Sequence, residues 1–534
     1  MAELEKIIWI SIILIVIISV KDRLKLALPI LLVVAGLLLS LTRLVPSIDM
    51  SPEMIFYVVL PPILFDAAWN TSIPDFKKEL PKISLLAVGL VFITTTVIAV
   101  VAHSIIPGFT WPLAFILGAV ISPPDAVAAT SITRDLPLPK KLITILEGES
   151  LLNDASALIA YKCAVTAVLS GIFSFWDAGI QFISISLGGI VIGLLIGFIF
   201  LKMHRFLNGN SNTETFAIVL LPFATYSLAE HLDLSGVLAV VALGMFLSWN
   251  SFSLFSSVSR IQMSHFWDVI IFVLNGLVFL ILGMQLPQII SDIPHPELPV
   301  LILYGLFIFG ILILIRLLIT FTFPIFSGVK SGYKDILLPR LRKEYIILSW
   351  SGMRGVVSLA AALALPVYTN SGELIEQRST ILFVSFVVII FTLLIQGLTL
   401  PRLIKLIKPA SEEKQYEKEL DILLIEKSLS CLQTMQGENE MSRDIIAGIT
   451  EKLKKEESDL FKDDAESPDI MAKKKWRETY FKIELELIEF QRKELIKYYH
   501  KGEYALEEVR KKEQELDFWT ATVYQEMESL RPQY

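Results

Sequence analysis

The chain has 534 residues, 54% of them hydrophobic and only 19% charged, where soluble domains carry about 25% charge. That composition excludes a disordered, collagenous or disulfide-scaffold chain and argues against an ordinary soluble enzyme. Residues 1–408 hold 26 Lys and Arg and 24 Asp and Glu, whereas 409–534 hold 21 and 30, so an apolar membrane body precedes an acidic tail that argues against nucleic acid as a partner.

A helix needs about 20 apolar residues to cross about 30 Å of hydrocarbon. Thirteen segments are candidates: 7–20, 24–42, 54–69, 83–106, 111–130, 142–169, 179–201, 215–230, 234–248, 266–286, 297–323, 343–366 and 379–404. The first is short, but Glu3 and Glu5 precede it and no small-x-small cleavage site follows, unlike a signal peptide. The odd-numbered loops carry 17 Lys and Arg, and the even-numbered loops carry only Arg43 and Arg378. Cytoplasmic loops collect these residues, which puts the N-terminus outside and the tail inside. Cys163 lies in an apolar stretch and Cys431 in the tail, so no disulfide is expected.

Two spans are broken in their middles. Span five contains Ile121-Ser122-Pro123-Pro124-Asp125-Ala126, and adjacent prolines remove amide donors and clash with the preceding turn. Span twelve contains Ser351-Gly352-Met353-Arg354-Gly355, where two glycines weaken the helix around a charge. The two lie seven spans apart, an odd offset, so they run in opposite directions. Interrupted helices at matching positions of inverted halves are a sequence pointer to a secondary-transporter site.

An ionisable residue deep in a span is expensive and is a functional hypothesis by default. Span six is the richest, with Glu149-Ser150-Leu151-Leu152-Asn153-Asp154. Asp154 lies twelve residues into it, about 18 Å along the axis. Ser150 precedes it by four residues on the same face, and Glu149 and Asn153 share the neighbouring face. Asp125 and Arg354 sit at similar depth, and Asp66 lies near one end of span three. Desolvation disfavours an unpaired carboxylate at such depth, so a proton or a small cation must neutralise it. That competition is the core of an exchanger. Asp154, the Ser150 hydroxyl and carbonyls freed at the Pro123-Pro124 break are the oxygens a hard cation wants. A buried arginine stays charged, so Arg354 needs a permanent acid, for which Glu149 is the candidate, the two forming a structural ion pair. Asp125 has two readings: an ion ligand, or a counterweight to the dipoles of the broken half-helices.

The run Glu149–Asp154, with Ser122-Pro123-Pro124-Asp125-Ala126-Val127-Ala128, Gly352-Met353-Arg354-Gly355-Val356-Val357-Ser358 and Thr392-Leu393-Leu394-Ile395-Gln396-Gly397-Leu398-Thr399-Leu400, resembles the sodium/proton exchangers of the cation–proton antiporter superfamily over roughly 1–405. The resemblance implies an all-α membrane fold of thirteen helices with inverted repeats and two broken crossing helices. It implies a core domain (83–169 and 297–404) that moves in elevator fashion against a dimer domain (1–82 and 170–296), within a homodimer in the cell membrane. It makes Asp154 the ion-binding, proton-exchanging carboxylate, Ser150 a ligand of Na+, and Asp66 an acid that approaches the ion from the dimer domain. Asn153 beside Asp154 is typical of the electroneutral branch. The family often has Thr or Ser before the fifth-span Asp and Pro after it; here Pro124 and Ala126 stand there, so only a backbone carbonyl is available at Pro124.

Elsewhere, Lys162 reads as a charge partner or as a side chain snorkelling to the outer interface, and Arg316 and Arg378 read as structural or interfacial. The six histidines show no metal spacing; pH sensing by His231 or His265 is the reading left open. No phosphate loop occurs, which disfavours an ATP-driven pump, and no cofactor beyond the transported Na+ and H+ is expected. The tail 409–534 reads as amphipathic helices, with Leu420, Leu423, Leu424, Ile425 and Leu429, and Phe481, Ile483, Leu485, Leu487, Ile488 and Leu495, at helical spacing. Gly437 and Ser467-Pro468 are expected breaks, and the tail is a solvated bundle or a regulatory element. The leading function is Na+ (or Li+) for H+ antiport, with K+/H+ exchange on the same scaffold as the alternative, and an ion channel or a membrane sensor further behind.

Overall fold

A computed structural model describes residues 12–17, 19, 28–42, 52–125, 129, 138–170, 175–204, 211–255, 257–291, 293–326, 339–370, 372, 374–407, 413–434, 446–454, 481–491, 493 and 506–529. These residues are almost wholly helical; an isolated antiparallel bridge pairs Tyr368 with Leu374. In chain order the helices are α1 (Leu28–Thr42), α2 (Pro52–Asn70), α3 (Ile73–Ile105), α4 (Trp111–Ile121), α5 (Lys140–Ser170), α6 (Phe175–Met203), α7 (Ser211–His231), α8 (Gly236–Leu254), α9 (Ser257–Ser291), α10 (Leu298–Phe326), α11 (Pro339–Trp350), α12 (Val356–Leu363) and α13 (Arg378–Ile407). Seven of them are long and apolar enough to cross a membrane, and three shorter apolar helices accompany them. Of the expected first span, 12–17 and 19 are described as helix; of the second half of span five, only Ala129 is.

Two helices start more than two turns before the point hydropathy predicts. Span four was expected from 83, yet α3 begins at Ile73, capped by Ser72, whose hydroxyl accepts from Asp75 N at 3.4 Å. Its first turns carry Asp75, Lys77, Lys78, Glu79 and Lys82, polar residues that a hydropathy scan leaves out. Likewise α9 begins at Ser257 rather than 266. Three helices contain a wide π turn: Ile55–Val59 ahead of Pro61-Pro62 in α2, Leu85–Leu90 after Pro81 in α3, and Thr392–Gln396 in α13. Such turns loosen the backbone ladder where proline or a functional side chain interrupts it.

Close backbone approach fixes α1 on α9. A Cβ at Gly36 would run into the carbonyl of Leu280, and one at Gly283 into that of Val33, the small-residue packing of membrane helices. Two large apolar clusters form the interior. One joins residues of α1, α3, α4, α9, α10, α11, α12 and α13; the other joins α2, α6, α7, α8 and α9. Helix α5 serves both, giving Ile145, Leu146, Tyr161 and Ala164 to the first and Leu151 and Ala155 to the second. The charged run of span six therefore lies on a helix that packs into both clusters.

The chain divides into two compact units, Met1–Ser411 and Glu412–Tyr534. In the second, Phe481, Ile488 and Val523 make a small core flanked by Leu485, Leu516 and Trp519, and Trp519 Nε1 donates to Glu484 Oε1 at 2.7 Å. The breaks expected at Gly437 and Ser467-Pro468 lie outside the described residues.

Candidate functional site

Helix α4 stops at Ile121 because Ser122 precedes the two prolines, and α12 starts after Gly355. The two breaks meet: the Asp125 amide donates to the Met353 carbonyl at 2.6 Å. Arg354 fastens the same junction. Its Nε donates to Ile121 O at 3.0 Å and its Nη2 to Ser122 O at 3.4 Å, carbonyls at the α4 C-terminus, while Nη1 bonds Gly352 O. A cation there complements the negative end of the helix dipole. The Arg354 amide in turn donates to Thr392 Oγ1 at 3.1 Å, which ties the π turn of α13 to the crossing. The Asp125 carboxylate lies against Gly355 at the start of α12, where any Cβ would collide with it. Gly355→Ala is expected to displace Asp125 and to lower the melting temperature of the purified protein, at a cost of about 1–3 kcal/mol; an unchanged melting curve would show that the contact is slack.

The expected Glu149–Arg354 ion pair is not what the structure contains. Glu149 pairs with Arg316 of α10: Nη1 lies 2.5 Å from Oε1 and Nη2 2.7 Å from Oε2, with both side chains 1% exposed. Arg316 Nε also donates to Leu348 O at 3.1 Å, a carbonyl of the last turn of α11. Gly352 makes room, since a Cβ there would meet the Arg316 side chain. The reason for the exchange of partners is local supply. Arg354 stands beside its own break, where unpaired carbonyls satisfy it. Arg316 stands in an unbroken helix whose carbonyls are already used, so it takes the carboxylate. Glu149 still acts on Arg354 through space.

Asp154 is buried, 8% exposed, and Asp125 is its electrostatic neighbour. Among the described residues no group is hydrogen-bonded or ion-paired to the Asp154 carboxylate. Asn153, fully buried, donates its amide to Pro124 O at 2.7 Å, and its Oδ1 has no partner among the described residues. The carbonyl expected as an ion ligand is thus held by Asn153, which links α5 to the crossing. Ser150 lies on α5 and is partly buried. Asp66 of α2 accepts from Asn70 Nδ2 at 3.0 Å and is the electrostatic neighbour of Glu147. The sequence reading did not single out Glu147, and it read Arg316 as structural or interfacial without giving it a partner. Glu147 lies seven residues, two turns, before Asp154 on one α5 face, a spacing that could have flagged it. Arg316 is a lone charge deep in an apolar span, the same signal that singled out Arg354. Lys162 pairs with Glu230 of α7 at 2.8 Å rather than standing alone. His231 and His265 are exposed.

Two interrupted helices that meet beside a buried carboxylate, among seven helices long and apolar enough to cross a membrane, mark a membrane ion transporter. Residues 10–406 match the family described as sodium/hydrogen exchanger, transmembrane, and the chain belongs to that family. It is 33% identical over 416 residues to the sodium, potassium, lithium and rubidium/H+ antiporter of Bacillus pumilus, covering 75% of this chain and 61% of that protein. It is 30% identical to the uncharacterized Na+/H+ exchanger YjcE of Escherichia coli, covering 80% and 81%. In fold it is similar to the sodium proton antiporter MjNhaP1 from Methanocaldococcus jannaschii, with a TM-score of 0.57 at 21% identity over 76% of this chain and 98% of that one.

Proposed function

We propose that the chain is a secondary antiporter in which Asp154 carries, in alternation, one proton or one Na+ or Li+ ion. The observation that carries this reading is the Asp154 carboxylate itself: deep, unpaired among the described residues, and beside the junction of two broken helices. A buried carboxylate without a partner is costly, so it holds a proton or a cation in either resting state. Ser150, Asn153 and Asp66 contribute oxygen around the ion; Asp125, set against the start of α12, serves the crossing. Glu149 with Arg316, and Arg354 with the α4 carbonyls, brace the moving body. In this reading 83–169 and 297–404 move against 1–82 and 170–296 to expose Asp154 to either side, and a homodimer supplies the fixed frame. The N-terminus is outside and the tail is cytoplasmic.

The test is cation-induced proton release from the purified protein in proteoliposomes, with sodium, lithium and potassium compared. Potassium is the competing cation, because the Bacillus pumilus relative bears it in its name. Release by sodium or lithium at submolar concentration is expected; no release by any of the three refutes the reading. Exchange is also expected to be electroneutral. One carboxylate trades one proton for one monovalent ion, and Asn153 cannot take a second proton. Membrane voltage is worth about 2.3 kcal/mol per charge per 100 mV, so proton flux at potentials clamped with potassium and valinomycin is a sensitive check. Rates and endpoints that ignore voltage are expected; a voltage-dependent pH endpoint points to a second proton carrier at Asp125 or Asp66.

A further inference from the structure

Beyond Asp154, the same helix carries a charge that reaches out of its own surroundings. Lys162 lies eight residues further along α5, about 12 Å on its axis. Its Nζ is 2.8 Å from Oε2 of Glu230, near the end of α7. The residues beside Lys162, Tyr161 and Ala164, are buried in the first apolar cluster. Those on either side of Glu230, Tyr226 and Val237, are buried in the second. At this end of α5 the ion pair therefore ties one cluster to the other.

Glu230 is held for this contact by the turn between α7 and α8. Its Oε1 accepts from Gly236 N at 3.1 Å, which sets an anion at the N-terminus of α8, where the helix dipole favours it. The turn is closed by Asp233 N donating to Glu230 O at 3.1 Å and Leu234 N to Ala229 O at 2.9 Å, with Asp233 in the left-handed region at φ 56°. Gly236 makes room, since a Cβ there would meet the Tyr226 ring, and Tyr226 rests edge-on against Tyr57 of α2 at 5.3 Å. Ser235 N donates to Ile185 O of α6 at 3.2 Å. The acid is thus fixed by its surroundings at 18% exposure, whereas the lysine is a long side chain 51% exposed. A fixed acid and a flexible base make a contact that opens and re-forms without repacking either cluster.

We propose that Lys162 and Glu230 form a latch that holds α5 against the α7–α8 turn and keeps Asp154 closed on that side. A displacement of α5 past α7 by one helical turn, about 5.4 Å, parts the pair. The bond therefore weights the two ends of a transport cycle unequally, in favour of the state in which it is made. On the orientation proposed above this end faces outside, so the latch favours the state closed to the outside. The bond stands on its geometry; its part in turnover rests on the exchange reading. A half-exposed pair shifts such an equilibrium by about two- to fivefold, enough to tune affinity on each side without locking the protein.

The experiment uses the full chain as wild type, Lys162→Met, Glu230→Gln and Lys162→Arg. Glutamine keeps an acceptor for Gly236 N, so Glu230→Gln removes the charge without uncapping α8, and arginine keeps the ion pair. Apparent sodium affinity is measured in right-side-out and in everted vesicles. In Lys162→Met and Glu230→Gln it is expected to rise about two- to fivefold from the outside and to fall from the inside, with Lys162→Arg close to wild type. A role confined to packing would move both sides alike, so equal changes on the two sides, or none, overturn the latch. Opposite changes of the reverse sense support the latch and reverse the orientation. Backbone hydrogen exchange over residues 155–170 gives a readout that needs no transport. Faster exchange in Lys162→Met than in wild type is expected, and identical exchange overturns the latch. Faster exchange in a protein that moves no ions supports the bond between the clusters and counts instead against the exchange reading.

Discussion

Replacing Asp154 by asparagine is expected to abolish cation-coupled proton movement while leaving a folded protein. The amide fills nearly the volume of the carboxylate, and no described group is bonded to that carboxylate, so no donor is stranded by the change. What is lost is the ability to bind a proton in one step and a cation in the next. The neighbouring Asn153 already shows what an amide does here: it donates to the Pro124 carbonyl and holds the crossing in place. Folding is checked by the melting curve and monodispersity of the purified variant, transport by sodium-induced proton release in proteoliposomes. Coupled exchange near the wild-type rate would sink the assignment of Asp154 and shift attention to Asp125, its electrostatic neighbour. A folded variant with no flux would leave Asp154 as the carrier.

How much of this was legible in the sequence depends on whether the signal is local. The breaks were legible, because Pro123-Pro124 and Gly352 with Gly355 act on their own backbone. The burial of Asp154, Glu149 and Arg354 was legible from their place within apolar helices. The start of α3 at Ile73 was not, because a membrane helix can continue as a polar, amphipathic turn outside the hydrocarbon without raising the hydropathy. The partner of Glu149 was not legible either. Arg316 and Arg354 are both lone charges in apolar spans, and pairing is a tertiary choice. The structure adds a physical rule that separates them: a cation beside a helix break can use the freed carbonyls, whereas one in an intact helix needs an acid. The Asp125–Gly355 contact, by contrast, follows from two motifs that were both in view.

The pairing of Glu149 with Arg316 makes the second large prediction. Arg316→Ala leaves a carboxylate that is 1% exposed without its bidentate partner, and breaking a buried pair from one side costs about 3–5 kcal/mol. A strong loss of folded yield and of melting temperature is expected, larger than for Arg354→Ala, whose guanidinium satisfies backbone carbonyls rather than a charge. A carbonyl left unmet costs about 1–3 kcal/mol, less than a buried charge left unpaired. Removing both charges, as Glu149→Gln with Arg316→Met, is expected to recover much of the loss, because an apolar or neutral replacement of a buried pair is often nearly neutral. The measurement is a double-mutant cycle on melting temperature, run for Glu149 with Arg316 and, in parallel, for Glu149 with Arg354. The first cycle should show the large coupling and the second a small one that reflects only action through space. Equal couplings would mean that Glu149 divides its charge between the two arginines, and a larger coupling to Arg354 would return the pair to the partner that span depth alone suggested.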